Sequence, residues 1–166
     1  MYLTIWRHGQ AGSAASDRQR ELTSVGSDDI GFGCHRFHEL SLSRGIEHPD
    51  VILYSEWVRT TQTAEILAAA FSQAHRSACQ ALLPGRTVED VDRELDTRFA
   101  SEPPRHLLLV SHQPLVSALV GHYLGDASRA PSLVPGGMAT LELEVLAPAC
   151  ATLLFSAQPP SYEPII

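Results

Sequence analysis

Val51-Ile52-Leu53-Tyr54 and Leu107-Leu108-Leu109-Val110 are short, unbroken apolar runs. Side chains of a strand point to opposite faces in turn, so a run that is apolar at both alternating positions needs cover on both faces. That requirement selects a mostly parallel sheet between layers of helix. Tyr2-Leu3-Thr4-Ile5-Trp6, rich in aromatic and β-branched residues, reads as a third strand at the start of the chain.

The segments between these strands have helical spacing. Ile30, Cys34, Phe37 and Leu40 place an apolar stripe on a helix from about Leu22 to Leu42, weakened by Gly31 and Gly33. Thr60, Ala64, Leu67 and Phe71 do the same from Glu56 to Gln73, with Ser55 as the expected cap. Val88, Val91, Leu95 and Phe99 mark a third helix, ended by Pro103-Pro104, and Pro114 suits the first position of a fourth that runs to Leu124. Ser77 to Leu83 reads as a short extended segment. Met138 to Leu146 and Ala151 to Phe155 read as an antiparallel pair at the sheet edge, and the proline-rich last residues as a surface tail. The expected fold is α/β, three-layer α/β/α, mostly parallel with an antiparallel edge, in a single domain over residues 1–166.

Net charge narrows the range of functions. The formal charge is −7, with no run of like charges, which argues against non-specific binding to nucleic acid or an anionic membrane. Cys34, Cys79 and Cys150 are scattered and form no CxxC pair, so neither a disulfide framework nor a zinc knuckle is expected. The most apolar window, Leu107 to Leu124, is too interrupted to span a membrane, and no secretory leader opens the sequence. A cytoplasmic location is expected. His35 and His38 could face one metal, but no third ligand accompanies them, and surface placement is the expectation. No GxxxxGK[ST] loop and no acidic cluster suited to magnesium occurs, and no metal or cofactor is expected.

In open α/β sheets ligands bind beyond the carboxyl ends of the strands. Three such ends carry Arg7 with His8, Arg59, and His112. Two guanidiniums and two imidazoles without an interleaved carboxylate suit an anion, and paired arginine forks suit a tetrahedral phosphoryl group. A neutral histidine can attack phosphorus and divide one difficult displacement into two. His8 is the candidate nucleophile, and the second imidazole could stabilise charge on the transferring group.

The segments Arg7-His8-Gly9, Ser55-Glu56-Trp57-Val58-Arg59-Thr60-Thr61-Gln62-Thr63-Ala64 and Val110-Ser111-His112-Gln113-Pro114 resemble, in order, the three signatures of the histidine phosphatase superfamily. Asp17 to Arg20, Leu22-Thr23, Gly26 and Leu83-Pro84 resemble its SixA-type phosphohistidine phosphatases. The resemblance implies a phosphoglycerate mutase-like fold and a metal-independent phosphatase that works through a phosphorylated His8. By the same resemblance Arg7, Arg59 and His112 hold the phosphoryl group, with Arg20 and Gly9 as further substrate-binding positions.

Two departures lie at the rim: Glu56 stands where the family often has proline, and Gln10 where an acid often follows the triplet. The expected region for a proton-donating acid reads Leu83-Pro84-Gly85-Arg86, and Glu89 or Asp90 could serve only if the loop folds back. Phosphohistidine needs such an acid less, because its imidazole can leave already protonated. The expected partner is a phosphohistidine-bearing protein, such as a histidine phosphotransfer domain, and the expected state a monomer or weak dimer. Alternatives are hydrolysis of small phosphate esters and a binding module without turnover.

Overall fold

The computed structural model describes residues 1–166. Ten regular elements follow one another: β1 (Tyr2–Arg7), α1 (Ser24–Arg44), β2 (Val51–Tyr54), α2 (Val58–Ala70), β3 (His75–Ala78), α3 (Val88–Phe99), β4 (His106–Ser111), α4 (Leu115–Leu124), β5 (Met138–Leu143) and β6 (Ala151–Ala157). The six strands form one sheet in the order β3-β2-β4-β1-β5-β6. The first four are mutually parallel, whereas β5 runs antiparallel to β1 and β6 antiparallel to β5. This is the expected mixed α/β sheet with an antiparallel edge.

Alternation along the strands builds two cores. Leu3, Ile5, Leu107 and Leu109 pack with Val91 and Leu95 of α3 and with Val116, Leu119 and Val120 of α4. On the opposite face Trp6, Ile52, Leu108 and Val110 pack with Ile30 and Phe37 of α1 and with Ala64 and Leu67 of α2. Leu107 to Val110 are all fully buried, which accounts for a run that is apolar at both alternating positions. No helix is long and apolar enough to cross a membrane.

Several local expectations change. Ser55 does not cap α2; Trp57 occupies that position with no side-chain cap, and the helix begins at Val58. The segment expected from Ser77 to Leu83 is β3 followed by a 3-10 turn over Gln80–Leu82. Pro114 precedes α4 instead of occupying its first position. α1 continues through both glycines, from the Thr23 cap, whose hydroxyl accepts from the Gly26 amide, to a left-handed Gly45.

The tail runs largely over the surface as expected, with Pro160, Ser161, Glu163, Ile165 and Ile166 exposed, but it is pinned by one buried residue. Tyr162 is fully buried, and its hydroxyl donates to the Gly136 carbonyl at 3.0 Å. A Cβ on Gly33 would come within 2.6 Å of the Tyr162 ring, so the glycine that weakens the helical pattern makes the slot for that ring.

Candidate active site

β2, β4 and β1 are neighbours, and their carboxyl ends bring the basic residues together. His8 follows β1, Arg59 lies in the first turn of α2 after β2, and His112 follows β4. All three are buried, at 8%, 5% and 3% exposure. The His8 and His112 ring centroids are 5.1 Å apart.

Backbone contacts fix the form of His8. Its Nδ1 lies 2.8 Å from the Gly9 carbonyl, which can only accept, so Nδ1 carries the proton. Its Nε2 lies 3.1 Å from Arg59 Nε, which can only donate, so Nε2 presents a lone pair. Burial, and then the neighbouring arginines, lower the His8 pKa to about 4, against the opposing pull of the Gly9 carbonyl. A neutral imidazole with its lone pair at Nε2 is the nucleophilic form.

His112 bonds Ser55 Oγ through Nε2 at 2.8 Å, while its buried Nδ1 has no protein partner. Burial and the adjacent His8 lower its pKa to about 3. Trp57 stands edge-on to the His112 ring at 5.4 Å, and the Arg59 guanidinium lies over the Trp57 ring at 5.0 Å. Arg7 sends Nη1 to the Leu133 carbonyl at 2.8 Å and leaves its buried Nε unpartnered. Buried polar atoms without partners are rare in folded proteins, and both of these belong to the basic cluster.

Gly9 donates its amide to Thr63 Oγ1, and a Cβ there would come within 2.8 Å of the Gly26 carbonyl. Its direct contributions are therefore steric room and the carbonyl that holds His8. Arg20 uses Nε and Nη2 on the carbonyls of Gly12 and Ala11 and Nη1 on Asp17 Oδ1. Asp17 was no candidate on sequence grounds, yet it is the one carboxylate bonded to the cluster: its Oδ2 accepts from Arg59 Nη2 at 3.2 Å and its carbonyl from Arg59 Nη1 at 2.7 Å. The neighbouring arginines, Arg20 foremost, lower its pKa. Ser55 was also missed, because a serine after a strand reads first as a helix cap.

Glu89 and Asp90 stand in the first turn of α3, where Asp90 completes a capping box with Thr87. Both are held more acidic than usual, Glu89 chiefly by Thr87 and Asp90 by the Thr87 backbone, and neither bonds a residue of the basic cluster. No group of three or more His, Cys, Asp or Glu side chains is placed to hold a metal ion.

No protein-family model matches the chain. An uncharacterized protein from a Picosynechococcus strain is 36% identical over 117 residues, 69% of this chain and 67% of its own length. The structure of the protein histidine phosphatase SixA complexed with tungstate superposes with a TM-score of 0.76 at 25% identity, covering 96% of this chain and 97% of that one. A Nakamurella multipartitia protein that also carries the SixA name gives 0.76 at 26% identity, with 95% of each chain covered.

Proposed function

We propose that this chain, which belongs to the histidine phosphatase superfamily and is of its SixA type, hydrolyses phosphohistidine carried on a protein through a phosphoryl intermediate on His8. The observation that carries the substrate choice is the state of Asp17. The carboxylate bonded to the cluster is held ionised by Arg20 and Arg59, and Glu89 and Asp90 stand apart, so no carboxylic acid is poised to protonate an alkoxide. A phosphoimidazole with a protonated ring needs no such donor, because the ring departs as neutral imidazole.

In the first step the Nε2 lone pair of His8 forms a bond to phosphorus as the bond to the substrate imidazole breaks. The Nδ1 proton stays on His8, and the Gly9 carbonyl supports the positive ring that results. Arg7, Arg59 and the free nitrogen of His112 supply donors to the phosphoryl oxygens, a catalysis of position and charge. Water then attacks phosphorus, the P–Nε2 bond breaks, and dihydrogen phosphate leaves with His8 restored to its starting tautomer.

Mixing the protein briefly with a phosphohistidine-bearing protein, and separately with small phosphate esters, tests this reading. Turnover of the first and an acid-labile, base-stable phosphoenzyme are expected, both lost in His8→Ala. Rapid hydrolysis of sugar phosphates without activity on phosphohistidine would overturn the substrate assignment, and normal rates in His8→Ala would overturn the nucleophile.

A further inference from the structure

We infer that the Asp17 carboxylate is a resident anion that occupies the guanidinium cradle beside His8, and that an incoming phosphoryl group must displace it. The inference rests on the phosphate-binding part of the function proposed above, and it adds a residue that sets affinity.

The carboxylate bridges two guanidiniums. Oδ1 accepts from Arg20 Nη1 at 3.0 Å and Oδ2 from Arg59 Nη2 at 3.2 Å. Arg59 also points Nε at the lone pair of His8, so one planar fork faces the nucleophile and the aspartate together. A phosphoryl group on His8 Nε2 would meet the same fork. Two anions cannot share these donors without repulsion, and one of them is already part of the chain.

The contact is built to open. The Asp17 side chain is 55% exposed, whereas that of Arg59 is only 6% exposed. Asp17 opens a 3-10 turn, Asp17–Gln19, whose backbone stays tethered because the Asp17 carbonyl accepts from Arg59 Nη1. The carboxylate can therefore rotate into solvent while the loop and the arginine keep their places. Its departure would free Arg20 Nη1, whose other two nitrogens remain on the Ala11 and Gly12 carbonyls, and leave two guanidiniums poised around one tetrahedral anion. While resident, the carboxylate holds those guanidiniums together. It also sets a threshold that a phosphoryl dianion, with its greater charge, crosses more readily than a monoanion.

The test is equilibrium titration with inorganic phosphate by calorimetry, on the wild-type chain and on Asp17→Asn, Asp17→Ala and Asp17→Glu, each checked for an unchanged circular dichroism spectrum. Removing the competing charge should tighten phosphate binding by roughly tenfold in the Asn and Ala variants, an advantage that shrinks as salt rises. Asp17→Glu should stay within about threefold of wild type, since it keeps a competing carboxylate on a longer stem. Unchanged or weaker binding in both neutral variants would overturn the inference and make Asp17 a support that positions Arg59, as would a failure of phosphate to bind any of the four proteins. Tighter binding by the neutral variants in a protein that does not turn over phosphohistidine would uphold this inference while the substrate assignment failed.

Discussion

Ser55 and His112 illustrate how much of the site rests on single atoms. The hydroxyl of Ser55 holds His112 Nε2 at 2.8 Å, fixing which nitrogen is left for other work. Ser55→Ala leaves that buried nitrogen without its partner and the ring free to turn. A fall in kcat/KM of about tenfold, equivalent to about 1.4 kcal/mol, is expected together with a loss of stability of about 1–2 kcal/mol. Steady-state kinetics on the purified variant measure it, and a change below twofold would remove Ser55 from the positioning network. Nothing in the sequence forecasts this bond, since it joins residues 57 positions apart. The same holds for the fully buried His106, which carries no sequence pattern yet bonds Thr4 Oγ1 and the Glu47 carbonyl inside the core.

The first two turns of α2 spend nearly every polar side chain on the site or its supports. Arg59 meets His8, Thr60 bonds the Trp57 carbonyl, Gln62 accepts from the Leu22 amide, and Thr63 accepts from the Gly9 amide. α1 approaches the same loop through Gly26, where a Cβ would lie 2.1 Å from the Gln10 carbonyl oxygen. Gly26→Ala should therefore push the start of α1 off the loop, costing at least about 2 kcal/mol of stability and most of the activity. Urea unfolding of the variant checks it, and a loss below about 0.5 kcal/mol would mean that the loop yields freely. At this scale the strand ends were legible, because unbroken apolar runs mark where strands stop and chemistry begins. Asp17 was not, since a loop carboxylate reads as solvated until a fold sets an arginine beside it. Tyr162 was hidden by a proline-rich setting and by a slot that consists of a missing Cβ on another element.

Burying three histidines makes the whole molecule sensitive to acid. His8, His106 and His112 have pKa values lowered to about 4, 4 and 3, chiefly by burial. The unfolded chain binds protons to these rings near pH 6.5 while the folded chain does not, so stability is full above that pH and falls on acidification toward pH 4. At pH 5 each ring contributes a loss of about 2 kcal/mol, with less than additive effect for the adjacent His8 and His112. Urea titrations at pH 7 and pH 5 measure the difference, and equal stabilities would contradict the buried neutral state of these rings. The sheet order also has a consequence in time. β1 precedes its partners in the chain, and its Thr4 meets residues 102 and 136 positions further along, on β4 and β5. Until those strands emerge, the segment that carries His8 is an apolar ribbon with two open edges, the kind of surface that chaperones cover and aggregates recruit. Contacts so distant in sequence belong to chains that fold slowly, so the strand ends around His8 come together only once β4 and β5 are available to pair with β1.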